Sequence, residues 1–226
     1  MVFTVKYPYK YFMNSYKVET GYGNFKKTIV IELPAVKRVG VLVSGGSDSA
    51  VLLYLLTKLN LENNSPCEII PFTVPKTDGA VMFATAVIDH INIALKCNLP
   101  PTTIVGDPTL HHSKQVLSGR NEAMEHYNID IMVYGSQKTP PKDELIVDWE
   151  YPYRPDSIHY STIYCPFALV DKRNTIDLYR IFDKMDLLAI THSCTEQVDG
   201  SCGKCLYCQE RAWALKSTNI EEPGVV

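Results

Sequence analysis

A short segment rich in glycine and serine carries the first candidate chemistry of this 226-residue chain. The apolar run Val39–Val43 is typical of a strand buried on both faces, and Ser44-Gly45-Gly46-Ser47-Asp48-Ser49 follows it directly. Two glycines allow a sharp turn, and the N–H groups at the start of the next helix would face an anion, with hydroxyl donors from Ser44 and Ser49. The segment predicts a phosphate-binding loop, and its lack of lysine excludes the Walker type. The alternative is a simple turn in which Asp48 caps the helix.

A cysteine cluster carries the second candidate chemistry. Four of the seven cysteines, Cys194, Cys202, Cys205 and Cys208, fall within the last 35 residues. Four thiolates are the usual ligand set of a structural zinc site, and we interpret the cluster as binding Zn²⁺, with Lys204 and Arg211 offsetting the thiolate charge. The spacing also allows an iron–sulfur cluster or a redox pair. An odd cysteine count and the lack of a secretory signal favour a metal site in a reducing cytosol over a disulfide framework.

The remaining pattern predicts the elements that must position these groups. Apolar runs at 68–74, 103–105 and 129–134 predict further strands, and helices are predicted at 50–59, 80–97, 112–127, 174–182 and 209–216. Strands that alternate with helices predict an α/β fold with a doubly wound parallel sheet. Alternation at Phe3, Val5 and Tyr7, followed by Gly21 and Gly23, predicts an N-terminal β-hairpin or meander. We predict this hairpin over residues 1–35, an α/β domain with the phosphate-binding loop over 36–190, a zinc-binding element over 191–217 and a tail over 218–226.

The glycine-rich segment is similar to the signature of a known family. Ser44, Gly45, Gly46, Asp48 and Ser49 match every fixed position of Ser-Gly-Gly-x-Asp-Ser, and the chain therefore resembles the PP-loop ATP pyrophosphatases. The resemblance implies that ATP is cleaved between its α and β phosphates, that residues 44–49 hold the pyrophosphate with Mg²⁺ nearby, and that an oxygen of the substrate is activated as an adenylate. It also implies a catalytic role for Asp48 and an adenine contact from the backbone of 71–74.

Two further segments narrow the resemblance. Residues 194–211 match Cys-x(7–8)-Cys-Gly-x-Cys-x-x-Cys-x-x-Arg, and Pro166–Lys172 matches Pro-x5-Lys, so the chain looks like the 7-cyano-7-deazaguanine synthases of queuosine biosynthesis. That resemblance implies conversion of 7-carboxy-7-deazaguanine to the nitrile through an amide, with ammonia and two ATP. It makes Lys172 the candidate catalytic cation between the acid and the α-phosphate, with Arg173 as a second candidate for phosphate contact. The middle of the chain departs from the family pattern, because Gly119-Arg120-Asn121 lacks the proline that precedes this motif.

A long segment without periodicity is the candidate lid. Residues 137–160 contain four prolines and three tyrosines, and irregular segments of this length are commonly functional. We predict that it covers the substrate pocket at the carboxyl ends of the strands. Its cations would meet a carboxylate and its aromatic rings would cover a flat heterocycle; the candidates are Lys138, Lys142, Arg154, Trp149, Tyr151 and Tyr153.

Composition limits the classes of function. A net charge of −3, from 22 basic and 25 acidic residues, argues against a nucleic-acid partner, and there is no apolar run of membrane-spanning length. We expect a cytoplasmic enzyme that can form a homodimer and whose partners are a deazapurine carboxylate and ammonia. One alternative is a PP-loop enzyme with another target, either forming only the amide or thiolating tRNA with Cys67 or Cys97 as sulfur carrier. Another is a nonenzymatic zinc-knuckle module that binds nucleotides or nucleic acid.

Overall fold

An antiparallel hairpin precedes the main sheet. The computed structural model describes residues 12–63, 66–75, 78–110, 112–141, 144 and 158–223. Strand β1 (Phe12–Thr20) pairs with β2 (Lys27–Pro34) through a 3₁₀ turn at Gly23–Phe25. The predicted N-terminal hairpin is therefore present, although the strand expected around Phe3–Tyr7 lies outside the described residues.

Six strands of the main sheet lie within the described part of the chain. They are β3 (Arg38–Leu42), β4 (Glu68–Thr73), β5 (Thr103–Ile104), β6 (Ile131–Val133), β7 (His159–Tyr160) and β8 (Ile163–Tyr164), arranged in the order β5-β4-β3-β6-β8-β7. Five neighbouring strands, β5-β4-β3-β6-β8, are parallel to one another. Strand β7 lies at one edge of the sheet and is antiparallel to β8. The chain starts at the central strand β3, winds to one edge through β4 and β5, and then returns to β6 and β8 on the other side.

Helices cover both faces of this sheet. They are α1 (Ser47–Leu61), α2 (Ala80–Leu95), α3 (His112–His126), α4 (Lys172–Ile181), α5 (Met185–Ala189) and α6 (Leu206–Ser217). Buried residues of α1, α2, α4 and α5 form one core, whereas Ala123 of α3 packs with Phe72 and Met132 in a second core. Because helices bury both faces of a parallel sheet, the predicted doubly wound α/β fold is confirmed.

The hairpin shares the larger of these two cores. Ile29, Ile31 and Leu33 of β2 are at most 1% exposed and belong to the same apolar cluster as α1. The Asn174 side chain of α4 donates to the carbonyl of Phe25 at 2.9 Å. The hairpin therefore braces α1 and α4, which start on either side of the functional cleft described below. The bounds predicted for the separate domains stay a prediction.

Some elements were not predicted from the sequence. Strands β7 and β8 contain two residues each, which is too short for an alternating pattern to be recognised, and β7 lies within the segment that we predicted to be an irregular lid. Helix α5 was also not predicted. Helix α6 begins at Leu206 rather than at 209, because Cys205 already has the extended backbone of an N-cap. None of the described helices is long and apolar enough to cross a membrane.

Candidate active site

The glycine-rich loop lies at the carboxyl end of β3, where the winding of the sheet reverses. Strand β3 pairs with β4 on one side and with β6 on the other, so the loops that follow β3 and β6 meet at this point. A crevice forms at such a position in open α/β sheets, and ligands bind in it. The predicted phosphate loop is thus at the edge of the sheet where a ligand site is expected.

Packing against α2 requires glycine in this loop. Gly45 has a φ of 76°, and a Cβ atom there would lie 2.3 Å from the Cβ of Phe83. Ser49 Oγ donates to the carbonyl of Gly46 at 3.0 Å and accepts from the N–H of Ser44 at 3.2 Å. Ser49 therefore braces the loop from within, whereas Ser44 and Gly46 line the cleft in front of it.

Ser47 belongs to the buried side of the same loop. It is 1% exposed, and its carbonyl accepts a hydrogen bond of 2.5 Å from the hydroxyl of Tyr179. Its own Oγ has no hydrogen-bond partner among the described residues. Full burial raises the pKa of Tyr179 well above its ordinary value, so this phenol remains a donor and fixes the first turn of α1 from below.

Asp48 and Lys172 form an ion pair that faces the cleft. Lys172 Nζ donates to Asp48 Oδ2 at 2.5 Å, and the two side chains are 5% and 20% exposed. Thr175 Oγ1 donates to the other carboxylate oxygen at 2.8 Å. The lysine is brought here by a capped helix start, because the side chain of Asp171 accepts from the N–H of Arg173 at the N-terminus of α4. The structure thus joins two predicted catalytic residues that are 124 positions apart.

A third donor to Asp48 was not predicted from the sequence. Gln137 is fully buried, and its amide nitrogen faces the carboxylate at 2.7 Å from Oδ1 and 3.0 Å from Oδ2 once the amide is oriented to donate. The loop after β6 comes this close because Gly135 has no side chain: a Cβ there would lie 2.8 Å from the backbone carbon of Asp48. The glycine that ends the predicted strand at 129–134 was the available sequence signal.

Replacing Gln137 with leucine is expected to weaken the hold on Asp48 without changing the fold. The variant removes a donor from a partly buried carboxylate, so we expect the ATP turnover that the motif resemblance implies to fall by about one order of magnitude. Steady-state assays of pyrophosphate release would measure this. Gln115→Leu is the matched control, because Gln115 is also buried but donates to the carbonyl of Pro75, away from Asp48. Equal losses in the two variants would contradict a specific role for Gln137.

The cleft itself has a volume of about 130 Å³. Its walls come from the glycine loop, the start of α2, the start of α4 and the segment that leads into the cysteine cluster. The residues in it that were not predicted are Asp78, His192, Ser193, Thr195 and Tyr207. These polar groups, together with Lys172 and the loop, can hold a phosphate chain and a divalent cation. Sequence patterns do not mark four of them because these lie on short connecting segments, whereas Tyr207 lies in the first turn of α6.

Arg173 does not lie in the cleft, contrary to its candidacy for phosphate contact. Its guanidinium pairs with Asp171 at 2.7 Å and lies between the rings of Phe25 and Trp213, with its central carbon 4.5 Å from each ring centroid. Successive residues at the start of a helix point in different directions, so Lys172 and Arg173 diverge. Arg173 therefore stabilises the packing of the hairpin and α6 against α4.

The four clustered cysteines converge on one point. The Sγ atoms of Cys194, Cys202, Cys205 and Cys208 all lie within 4.8 Å of one another, and the pair from Cys202 and Cys208 is 4.0 Å apart. Four sulfurs around one ion at about 2.3 Å would be separated by about 3.8 Å. The donor set therefore fits a single tetrahedral ion, whereas a four-iron cluster holds its thiolates on separate irons and spreads them further apart.

Two thiols of this cluster have different pKa values because their surroundings differ. The N–H groups of Cys205 and Lys204 donate to Cys202 Sγ at 3.3 and 3.4 Å and lower the pKa of that thiol to about 6. Burial instead raises the pKa of Cys208 to about 12. A bound dication would deprotonate all four thiols, and its charge would offset the burial of their thiolates.

Arg211 has a different role from the one expected. It is 7% exposed and donates to Thr191 Oγ1 at 2.7 Å and to the carbonyl of Leu188 at 3.1 Å, and it also pairs with Glu222. The guanidinium is therefore engaged with the segment before Cys194 and with the C-terminal residues. Its contacts position the wall of the cleft.

The other three cysteines do not line the cleft. Cys67 lies just before β4, at the opposite edge of the sheet, and burial raises its pKa to about 11. Cys97 follows α2 and donates to Asn92. Cys165 follows β8 and is 3% exposed, and burial raises its pKa to about 12. Neither Cys67 nor Cys97, the two predicted sulfur carriers, is placed next to the glycine loop.

Most of the predicted lid lies outside the described residues. This applies to Lys142, Trp149, Tyr151, Tyr153 and Arg154. Lys138 is described and exposed, and its backbone N–H donates to the carbonyl of Val170 at 2.7 Å. That bond holds the loop carrying Gln137 against the segment before α4. The role of the lid in substrate binding stays a prediction.

Comparison with known proteins finds similar solved structures but no sequence relative. No protein-family model matches the chain, and no curated protein matches it. Among solved structures, it is similar to the U34-tRNA thiolase NcsA from Methanococcus maripaludis with its 4Fe-4S cluster, at 14% identity and a TM-score of 0.42. The match covers 80% of this chain and 64% of the thiolase chain, so this chain spans less than two thirds of the neighbour's length. The class defined by the strand order and the site is a doubly wound α/β protein with a glycine loop at its switch point and a four-cysteine centre beside it.

Proposed function

We propose that the protein is an ATP-dependent ligase of the PP-loop ATP pyrophosphatase type that joins nitrogen to an activated carboxylate. One observation carries the proposal: the Ser-Gly-Gly-x-Asp-Ser loop lies at the switch point of the sheet, with Lys172 paired to its aspartate. A loop that lacks the Walker lysine, facing a lysine from another helix, suits a pyrophosphate on the loop and the α-phosphate near Lys172.

Each group in the cleft then has a role in binding or in charge stabilisation. The loop backbone and Ser44 bind the leaving pyrophosphate, and the backbone after β4 contacts the adenine. Mg²⁺ fits the carboxylates of Asp48 and Asp78, both of which line the cleft, and when bound it would neutralise charge on the pyrophosphate. Lys172 leaves Asp48 to meet the charge between the acid and the α-phosphate. Gln137 and Thr175 still hold Asp48 after that exchange.

The substrate proposed is 7-carboxy-7-deazaguanine, on the basis of the motif resemblance. An oxygen of its carboxylate attacks the α-phosphorus, and the bond to pyrophosphate breaks. Ammonia then attacks the acyl carbon, loses a proton and displaces AMP, which forms the amide. A second ATP activates the amide oxygen, and loss of AMP with two protons leaves the nitrile, 7-cyano-7-deazaguanine. Positioning and electrostatics carry these steps, because none of them needs a nucleophilic side chain.

The cysteine cluster is proposed to hold one structural Zn²⁺. The sulfur spacing supports a single ion, and three of the four ligands are at most 5% exposed. A closed set of four thiolates leaves no open position on the metal for chemistry. Its proposed contribution is to fold residues 194–208 beside the cleft.

Product analysis tests the proposal. The protein is incubated with ATP, Mg²⁺, ammonia and 7-carboxy-7-deazaguanine, and the products are identified by mass spectrometry. We expect AMP, pyrophosphate and the nitrile, with the amide as an intermediate. ADP and phosphate would contradict the assignment of the loop. Accumulation of the amide alone, or sulfur transfer to tRNA instead, would replace the target with one of the other PP-loop reactions, and ATP binding without turnover would favour a binding module.

A further inference from the structure

One short segment joins the cysteine cluster to the glycine loop. Residues 191–195 follow α5 and include Cys194 of the cluster, and residues 192–195 line the cleft. The N–H of His192 donates to the carbonyl of Gly45 at 3.0 Å. The carbonyl of His192 is also near the loop, 3.5 Å from where a Cβ on Gly46 would lie. The segment is thus hydrogen-bonded to the backbone of Gly45 and lies beside Gly46.

The His192 ring adds a second connection to the same place. It stacks on Phe83 with centroids 4.1 Å apart and an interplanar angle of 4°. Phe83 is the residue against which Gly45 packs, so the ring, Phe83 and the loop form one layer. The ring nitrogen Nε2 is 2.9 Å from the carbonyl of Gln197, which lies between the first two cysteines of the cluster. The backbone of His192 therefore contacts the glycine loop, and its side chain contacts the segment between the first two cysteines of the cluster.

Helix α6, which carries the last cysteine of the cluster, also contacts segment 191–195. Cys208 lies in the first turn of α6, and Arg211 follows it by three residues. The Arg211 guanidinium donates to Thr191 on both the hydroxyl and the carbonyl. Segment 191–195 is therefore fixed from both sides of the four-cysteine centre, through Cys194 along the chain and through α6 across it.

We propose that His192 is a positioning residue through which the metal centre sets the geometry of the phosphate loop. With the metal bound, residues 191–195 hold the carbonyl of Gly45 and the ring of Phe83, and the loop presents its donors to the phosphates. Without the metal, this support is lost and the loop becomes mobile. The consequence for ATP rests on the proposed function, whereas the coupling itself is a property of the loop.

Hydrogen–deuterium exchange on the full chain tests the coupling without using activity. Exchange of residues 44–50 is measured in the metal-loaded protein, after removal of the metal by a chelator, and in His192→Ala. We expect faster exchange at 44–50 in both perturbed samples, with His192→Ala retaining its metal. His90→Ala is the control, because His90 is also on the α2 side of the molecule but contacts Asp186 and not the loop.

ATP binding is measured on the same samples by calorimetry. Loss of the ring stack is expected to weaken ATP binding by about threefold to tenfold in His192→Ala, and metal removal is expected to weaken it further. If chelation unfolds the whole chain, the metal-loaded His192→Ala variant decides the question. Unchanged exchange at 44–50 in that variant, with unchanged ATP affinity, would overturn the proposal. Faster exchange in a protein that does not bind ATP at all would uphold the coupling and refute the proposed function instead.

Discussion

Lys172→Met is expected to lower the turnover of ATP by about two to three orders of magnitude while ATP still binds. The methionine keeps the aliphatic volume of the side chain but removes the cation that lines the cleft. A charge that is needed most in the transition state contributes mainly to kcat, so KM for ATP should change far less. The measurement is the steady-state release of pyrophosphate with the acid and ammonia present.

Stability and a matched lysine control this result. Removing one partner of a buried ion pair can cost about 3–5 kcal/mol, but Asp48 remains partly exposed and keeps its bonds to Thr175 and Gln137, so the cost here should be smaller. Thermal unfolding would measure it. Lys184→Met is the control, because Lys184 lies over the ring of Tyr54 and not in the cleft. Turnover that falls equally in both variants, or a loss confined to ATP affinity, would argue against the role given to Lys172.

The sequence predicted those parts of the site that lie within one continuous segment. The apolar strand, the glycine loop and the helix start form one stretch, and the spacing of the four cysteines is also local. Lys172 was predicted only because its segment matched a family motif. Its contact with Asp48 depends on the packing of α4 beside α1, which the sequence pattern does not reveal.

Most of the residues that were missed lie on connections between elements. Gln137 follows a three-residue strand, Asp78 precedes α2, and His192 lies between α5 and the cluster. Their importance comes from the order of strands in the sheet, which brings the loops after β3 and β6 together. A single sequence shows the alternation of strands and helices but not that order. Arg173 shows the reverse error, because the sequence suggested a role that the structure does not support. Its charge and its position next to Lys172 suggested a phosphate contact, but at the start of α4 its side chain points away from the cleft.

Cys205→Ser is expected to remove almost all of the metal that wild-type protein contains. Cys205 is 1% exposed and precedes α6, so it would hold both a bound metal ion and the start of that helix. Wild-type protein should contain about one equivalent of zinc by elemental analysis, and the variant should contain almost none. Because binding of structural zinc can contribute about 10–16 kcal/mol to local folding, the loss should unfold residues 194–208 and lower the melting temperature.

The elemental analysis also decides whether the four cysteines bind one zinc ion or an iron–sulfur cluster. Cys97→Ser is the matched control, because Cys97 is outside the cluster and its loss should leave the zinc content unchanged. Sulfur atoms within 4.8 Å of one another leave room for one ion at their centre, so a colourless zinc protein is the expected result. Iron with visible absorbance in anaerobically purified protein would mean that the cysteines move apart to take a cluster. The cleft beside Cys194 would then border a redox-active group, and sulfur transfer would become the better assignment for the ATP-dependent reaction.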